Sequence, residues 1–508
     1  MHSIWEDFIF GADVKRKSPG LNGGRASPRT VLQPSMRRVD DAHIIPPETD
    51  LIVNPFSFGS YRNFFVMYCS FVDGFDRGAR LPLLVILKTK YFLTQAVAFT
   101  AFGISLSPWL AKPFIAVVTD TVPIFGLRRK PYIIGSAGVN AGALALIGYF
   151  ADSQVGGFLV PMGLMTVRTF CRGVTGSVIQ GMLLEDCRAS DSQSHTSVLV
   201  SQYHTAHRLG QFVSVCVSGI LLTTTSLSTI FLSMAVFHGG SILLASLLEE
   251  PVVTDALALD AIPSKIEELK ETALDSPQFS SLLQYAFWAM ASPTYEARLA
   301  YYLLDERAMS IWQVSLVTTA QTVAATITPT VYSFFFQKSN LRPLLKNFTL
   351  WTVPASLLPL LLTTGVSDTL GLNQTAVAAA SGFCLTLATD LQMMPANVLV
   401  AQLSKKGLEG ASYSLFTVTE GVGRVVSNFY SALIPVVLGA SDLNGYANMT
   451  LYVLVSAGFQ LAPYRVADGV EVGEVVEQEV ATGQLRPSNR PMKNEEEEES
   501  YITDDDEN

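Results

Sequence analysis

Charged side chains stand inside stretches that are otherwise apolar, and these are the residues whose types and spacing could do chemistry. The stretch 62–87 holds Asp73, Asp76, Arg77 and Arg80; 156–180 holds Arg168 and Arg172; 198–223 holds Arg208 with His204 and His207 beside it. Glu296 and Arg298, then Asp390, then Glu420 and Arg424 follow in the second half. An ionisable group at membrane depth is expensive and faces a cavity or a partner. Asp73 with Arg77, Asp76 with Arg80 and Glu420 with Arg424 are four apart, a spacing that predicts pairs along one helix face. Arg168 and Arg172 lie one turn apart with no acid in their own stretch. A guanidinium clamps a carboxylate or phosphate at two points, so these two lead as holders of an anionic group, with pairing to Asp73, Asp76 or Asp390 across a bundle as the competing reading. Asp390, Glu296 and Glu420 are candidates for a coupling proton, because desolvation favours the neutral carboxyl and a neighbouring Arg the ionised one. His204 reads as a packed, hydrogen-bonded residue before it reads as a proton relay.

The elements that position these residues follow from hydropathy. The chain has 508 residues, 49% hydrophobic and 15% charged, with a mean hydropathy of +0.33. A soluble chain of this size carries about a quarter charged residues. A bilayer crossing needs about 20 mostly apolar residues, and twelve such spans are expected: 62–87, 94–118, 132–151, 156–180, 198–223, 228–248, 283–304, 311–336, 347–365, 374–403, 411–438 and 446–465. The fold class is therefore all-α and integral to the membrane, with twelve transmembrane helices in two six-helix pseudo-repeats. The units are a disordered N-terminal segment 1–55, bundles 56–248 and 283–465 joined by a polar linker 249–282, and an acidic disordered tail 466–508. That tail, with EEEEES and DDDEN, supplies much of the net charge of −10 and reads as a solvated run.

Orientation follows the basic residues. Lys15, Arg16, Lys17, Arg25, Arg29, Arg37 and Arg38 precede the first span, and Arg128, Arg129, Lys130, Lys338, Arg342, Lys346, Lys405 and Lys406 flank even-numbered loops. Cytosolic flanks accumulate such charge, so both termini are expected in the cytosol. The sequons at Asn373 and Asn448 then fall outward as glycosylation candidates. No cleavable signal or transit peptide is visible, and the plasma membrane is the expected location. The five cysteines lack CxxC spacing, and no metal site or cofactor is expected. No basic stripe interleaved with aromatics suggests nucleic acid, and no HExxH or nucleophile elbow suggests an enzyme.

The halves echo each other. Ala79-Arg80-Leu81 matches Ala297-Arg298-Leu299, and Gly210, Ser214 and Ser218 match Gly423, Ser427 and Ser431, small residues that let helices approach closely. Gly74, Gly78 and Pro82 interrupt the first span and Pro293 the seventh; breaks in corresponding positions point to a binding site.

The segment Ser107 to Tyr132, SPWLAKPFIAVVTDTVPIFGLRRKPY, places Asp120 where the second span ends and Arg128, Arg129 and Lys130 after a turn shaped by Pro123 and Gly126. It closely resembles the loop signature of the folate-biopterin transporter family of the major facilitator superfamily. Pro293 to Tyr302 and KGLEGASYSLF from Lys406 are similar to the same family, and the resemblance spans about 55–465. It implies alternating-access uptake of folate or unconjugated pterins with proton coupling, or of S-adenosylmethionine as in some members. Lys112, Pro113, Asp120, Pro123, Gly126, Arg128, Arg129 and Lys130 would form a cytosolic gate, an acid-to-base latch on one state of a rocking bundle. The chain departs from the family at Ser177 and Gly181, where two acids four apart are common, and at Gly421, where Asn is common. Glu185 and Asp186 lie one turn further on and are candidates to compensate. The lipid bilayer and a small-molecule substrate (folate, a pterin or S-adenosylmethionine) are the expected partners of a monomer. A non-transporting sensor or scaffold, motivated by Ser177 and Gly181, is the alternative class.

Overall fold

The computed structural model describes residues 60–79, 82–83, 86–87, 90–92, 101, 104–153, 157–189, 192–252, 261–405, 407–440 and 446–470. Among these residues the chain is helical, apart from one isolated bridge between Ile124 and Leu127. The first six spans correspond to α1 (Tyr61–Phe75), continued by a 3-10 turn Asp76–Ala79, to α2 (Lys112–Thr121) with a 3-10 turn Ser107–Ala111 before it, and to α3 (Lys130–Ser153), α4 (Leu159–Ala189), α5 (Gln193–Thr224) and α6 (Leu227–Leu247). In the linker, where a polar stretch was expected, α7 (Ala261–Asp275) forms a helix. The seventh span is split into α8 (Pro277–Ala291) and α9 (Glu296–Asp305). Then come α10 (Ile311–Phe335), α11 (Leu341–Leu357), two short helices α12 (Leu360–Thr363) and α13 (Val366–Thr369), α14 (Gln374–Leu403), α15 (Glu409–Leu438) and α16 (Met449–Phe459). Residues 462–470 are helical too, past the expected end of the last span at 465. The N-terminal segment, Arg80 and the acidic tail beyond 470 lie outside the described residues.

Local chemistry sets the helix starts. Ser60, Ser226 and Ser276 each accept the backbone N–H three residues on, and Ser310 forms a capping box with Gln313. Asn373 caps α14 through Ala376 N–H at 3.1 Å, while Asn448 Nδ2 donates to Leu438 O at 2.8 Å, so both sequon asparagines serve as helix-end residues on exposed turns. Five described helical stretches are long and apolar enough to cross a membrane: Lys130–Phe150, Leu227–Leu247, Leu341–Thr363, Gln374–Leu403 and Glu409–Leu438. α4 falls short because it carries Arg168, Arg172, Glu185, Asp186 and Arg188, and the first and seventh spans are broken.

The two breaks are built alike. α1 and α5 meet backbone to backbone: a Cβ on Gly74 would lie 1.9 Å from His207 O and one on Gly210 2.0 Å from Phe71 O. One turn beyond Gly210, Ser214 Oγ donates to Phe75 O at 2.5 Å, where α1 gives way to the 3-10 turn. In the second half a Cβ on Gly423 would lie 2.7 Å from Phe287 O on α8. One turn beyond Gly423, Ser427 Oγ donates to Ser292 O at 2.6 Å, where α8 stops. Ser431 Oγ takes the N–H of Thr294 at 2.9 Å. A broken helix in an apolar medium leaves backbone groups that must be satisfied inside the protein. The glycine admits the neighbouring helix and the serine after it does the satisfying.

Gly210→Val is expected to cost at least roughly 3 kcal/mol, the upper range for overpacking, and to abolish monodisperse protein on size-exclusion chromatography. Gly142→Ala, where nothing lies within 4 Å of the added carbon, is expected to leave the elution profile and melting temperature unchanged.

Candidate functional site

The charges of the first half converge on α1. Asp76 is held by Arg168 Nη2 at 2.9 Å, His238 Nε2 at 2.9 Å and Asn140 Nδ2 at 3.2 Å, with Arg172 Nε at 3.5 Å. Asp73 is held by Arg172 Nη2 at 2.7 Å and lies 3.3 Å from His207 Nδ1. The expected Asp73–Arg77 pair along one face is therefore not the arrangement found, and the expected Asp76–Arg80 pair falls on a residue outside the described ones. α1 leaves α-helical geometry at Asp76, and both acids are taken by helices packed against them; Arg77 is exposed and Arg80 lies outside the described residues. Arg168 and Arg172, the leading anion holders by sequence, are likewise occupied as counter-ions of Asp76 and Asp73.

The cavity lies between the halves. About 260 Å³ in volume and partly open, it is lined by Arg208 and Gln211 of α5, Gln321, Thr322, Ala325 and Thr326 of α10, Thr386, Thr389 and Asp390 of α14, and Arg424 of α15. Arg208 Nη2 lies 2.9 and 2.8 Å from the two oxygens of Asp390, bridging the halves across the cavity wall. Arg424 does not reach Glu420: among the described residues neither forms an ion pair, which corrects the expected intrahelical clamp. Glu420 lies within electrostatic reach of Arg424, Arg208, Lys112 and Asp390, and Arg77 within reach of Asp73, Arg208, Arg172 and Arg424. Glu296 and Arg298 sit in the first turn of α9, and their side chains lie outside the described residues.

Below the cavity the halves are sealed at the end that carries the 120–130 loop. Thr205 Oγ1 meets Thr330 Oγ1 at 3.2 Å and His204 Nε2 meets Tyr413 OH at 3.1 Å. The buried ammonium of Lys112 donates to Gln180 Oε1 at 2.6 Å in its own half and to Thr417 Oγ1 at 3.2 Å in the other, 4.7 Å from the Trp109 ring centroid. Ser177 Oγ faces Ser414 Oγ at 3.2 Å, Asp120 accepts Ala411 N–H at 3.2 Å, Gln193 Nε2 donates to Ser339 O at 2.8 Å, and Arg188 joins Glu409 and Ser404 O. Ile262, Ile266 and Leu269 of α7 cover this seam, packing on Ala116, Val117, Leu408, Ala411 and Leu415.

The loop itself is a network of three basic residues with three different tasks. Arg129 Nη1 meets Asp120 Oδ1 at 2.5 Å and its Nη2 meets Glu185 Oε1 at 2.7 Å. Arg128 donates to the carbonyl of Asp120. Lys130 Nζ donates to Ser246 O at 2.6 Å and Leu248 O at 3.2 Å at the end of α6. The Glu250 carboxylate accepts the backbone N–H groups of Arg128, Arg129 and Lys130 at 2.9, 2.7 and 2.9 Å, capping α3. Gly126 (φ +75°) permits the turn, and Phe125 beside it also has positive φ. A Cβ on Gly181 would lie 2.9 Å from Arg129 Nη1, so the guanidinium occupies the space of a side chain at 181, and Glu185 one turn on receives it. Burial opposes ionisation of Glu185, but Arg129 and Arg62 outweigh it and hold its carboxyl below the usual range. Burial pushes Asp186 up to about 6 although Arg62 lies 2.9 Å away.

Sequence reasoning missed His238, Asn140, Gln180, Arg188, Glu250 and Glu409. His238 and Asn140 were visible as polar residues in apolar stretches; the others lie at span ends, where polarity signals nothing.

Arg168→Ala would leave Asp76 buried and short of its main counter-charge. A loss of roughly 3–5 kcal/mol is expected, read as a lower melting temperature in detergent, with partial recovery when Asp76→Asn is added. Arg424→Ala, at the cavity surface, should leave the melting temperature unchanged.

Among solved structures, a bacterial homologue of the iron transporter ferroportin in its outward-facing state superposes with a TM-score of 0.59 at 15% identity, covering 81% of this chain and 100% of that one. A major facilitator superfamily proton:xylose symporter gives 0.58 at 11% identity, covering 80% and 94%. These likenesses carry the fold. By sequence the chain is similar to "Folate transporter 2" of Plasmodium falciparum (isolate 3D7), 22% identical over 390 residues and covering 77% of this chain and 83% of that one. It is also similar to "Folate-biopterin transporter" of Synechocystis sp., 24% identical over 393 residues with 77% and 78% covered. The family model described as the BT1 family matches residues 73–467, and the chain belongs to that family.

Proposed function

We propose that this integral, multi-pass membrane protein moves folate or a biopterin-like pteridine by alternating access, with proton coupling, and that its central cavity is the substrate site. The charge balance around the cavity carries the reading. Six basic side chains (Arg77, Lys112, Arg168, Arg172, Arg208, Arg424) form one electrostatic network with four acidic ones (Asp73, Asp76, Asp390, Glu420), leaving an excess of two positive charges among the described residues. The glutamate tail of folate brings two carboxylates, and Arg424 and Arg208 stand at the cavity surface to take them. The threonines and glutamines of α5, α10 and α14 offer the hydrogen-bonding groups that a pterin ring needs. A sulfonium substrate such as S-adenosylmethionine would meet an excess of its own charge, which places it second.

The scaffold reading rests on Ser177 and Gly181. Glu185 receives Arg129 where those acids are missing, which favours a working latch over a decayed one. In this reading the sealed loop end faces the cytosol, as the basic flanks expect, and the protein acts as a monomer in the plasma membrane.

Radiolabelled uptake of folate, biopterin and S-adenosylmethionine in a host without endogenous uptake tests the proposal. Folate is expected to accumulate, and failure of all three in surface-localised protein would sink it. Arg424→Ala should raise the KM for folate about tenfold, the loss of roughly 1.4 kcal/mol of charge-assisted hydrogen bonding, and leave biopterin within about twofold on the same scale. Asp120→Asn weakens the latch of one state only, so turnover should fall severalfold with substrate affinity unchanged; equal turnover would rule out the latch.

A further inference from the structure

Arg208 is the guanidinium at the cavity whose partner sits in the other half of the molecule, and its exposure differs from that of the other buried arginines. The Arg208 and Asp390 side chains are 24% and 22% exposed, against 2% and 1% for Arg168 and Asp76. Both carboxylate oxygens of Asp390 approach the single nitrogen Nη2. Among the described contacts the rest of the guanidinium is uncommitted, so a second carboxylate can dock before the first departs.

We propose that Arg208 is shared between Asp390 and a carboxylate of the substrate: substrate binding takes Arg208 from Asp390, and Asp390 then takes up a proton that travels with the substrate. The proposal rests on the reading of the cavity as a site for a carboxylate-bearing substrate. The surroundings decide the fate of Asp390 once it is displaced. Facing the pair are Arg77 from the first span, Glu420 and Arg424 from α15, and His204 and His207 on α5 itself, while α10 contributes the neutral Gln321, Thr322 and Thr326. Stripped of Arg208, Asp390 would be an unpaired carboxylate at the cavity wall with Glu420 nearby, and each of two neighbouring carboxylates favours the protonated form of the other.

The exchange balances. Before binding, Arg208 and Asp390 sum to zero charge. Afterwards Arg208 and the substrate carboxylate sum to zero, and Asp390 carries a proton drawn from the side on which the substrate entered. On release to the other side Asp390 gives up the proton and recovers Arg208. A pterin without a carboxylate binds without displacing Asp390 and carries no proton by this route.

The full chain in proteoliposomes, with the membrane potential clamped and one pH unit imposed, tests this. One proton per substrate supports about tenfold accumulation per pH unit. Wild type is expected to accumulate folate about tenfold and only to equilibrate biopterin. In weakly buffered detergent it should take up about one proton per folate bound. Asp390→Asn is expected to bring the folate ratio to one and proton uptake to zero, while counterflow at equal pH continues with a KM several times lower, because Arg208 has lost its competitor. Tenfold accumulation by the variant would overturn the proposal, as would loss of counterflow in folded variant protein. Should the variant not fold, the wild type still decides: biopterin driven as strongly as folate, or folate bound without a proton, overturns it. Wild type that moves biopterin but neither binds nor moves folate overturns both the exchange and the carboxylate reading. Folate transport without the proton overturns the exchange alone.

Discussion

A carboxylate deep in a membrane protein must have a partner, and the pairing of Asp73 and Asp76 with Arg172 and Arg168 is the interaction on which the rest of the molecule depends. It joins the first span to the fourth, and His207 and His238 bring the fifth and sixth to the same point. Where α1 changes to a 3-10 turn at Asp76, the acids are held by arginines of a neighbouring helix. The consequence is a division of labour. Arg168 and Arg172 are consumed in holding the first half together, and Arg208 and Arg424 are left at the cavity surface, Arg208 on Asp390 and Arg424, among the described residues, without an ion pair.

Much of the fold was legible because hydropathy and punctuation are local. Pro293 marked the break in the seventh span, and the repeated Gly and Ser spacing after Gly210 and Gly423 marked the helices that close on both breaks. The linker helix was not legible as a lid over the seam: Ile262, Ile266 and Leu269 are thinly spread among charges, and only α2 and α15 together show what they cover. Ion pairing was the least legible layer. Residues four apart are neighbours on a helix only while it stays a helix, and Arg168 could name Asp76 only as one of three candidate partners because pairing across a bundle has no sequence period. The gate was half legible. Asp120 and the basic run stood out, whereas the choice of Arg129 as partner, with Arg128 and Lys130 serving carbonyls, depends on how the turn at Phe125 and Gly126 aims each side chain.

The seal and the cavity share one helix. Along α5, Gln193, His204, Thr205 and Arg208 make successive contacts with the second half, ending at the cavity wall. Among these α5 contacts the one nearest the cavity is an ion pair and those further away are hydrogen bonds between neutral groups. Events in the cavity therefore reach the seal through a rigid element that already touches both.

Arg129 resting on Gly181 has a consequence for how such sequences diverge. With the guanidinium filling the volume a side chain would need, an acid placed at 181 would displace the end of Arg129 and compete with Glu185 for it. The effects of substitutions at 129, 181 and 185 are coupled rather than additive. A substitution at one of them therefore carries a different cost depending on what stands at the other two.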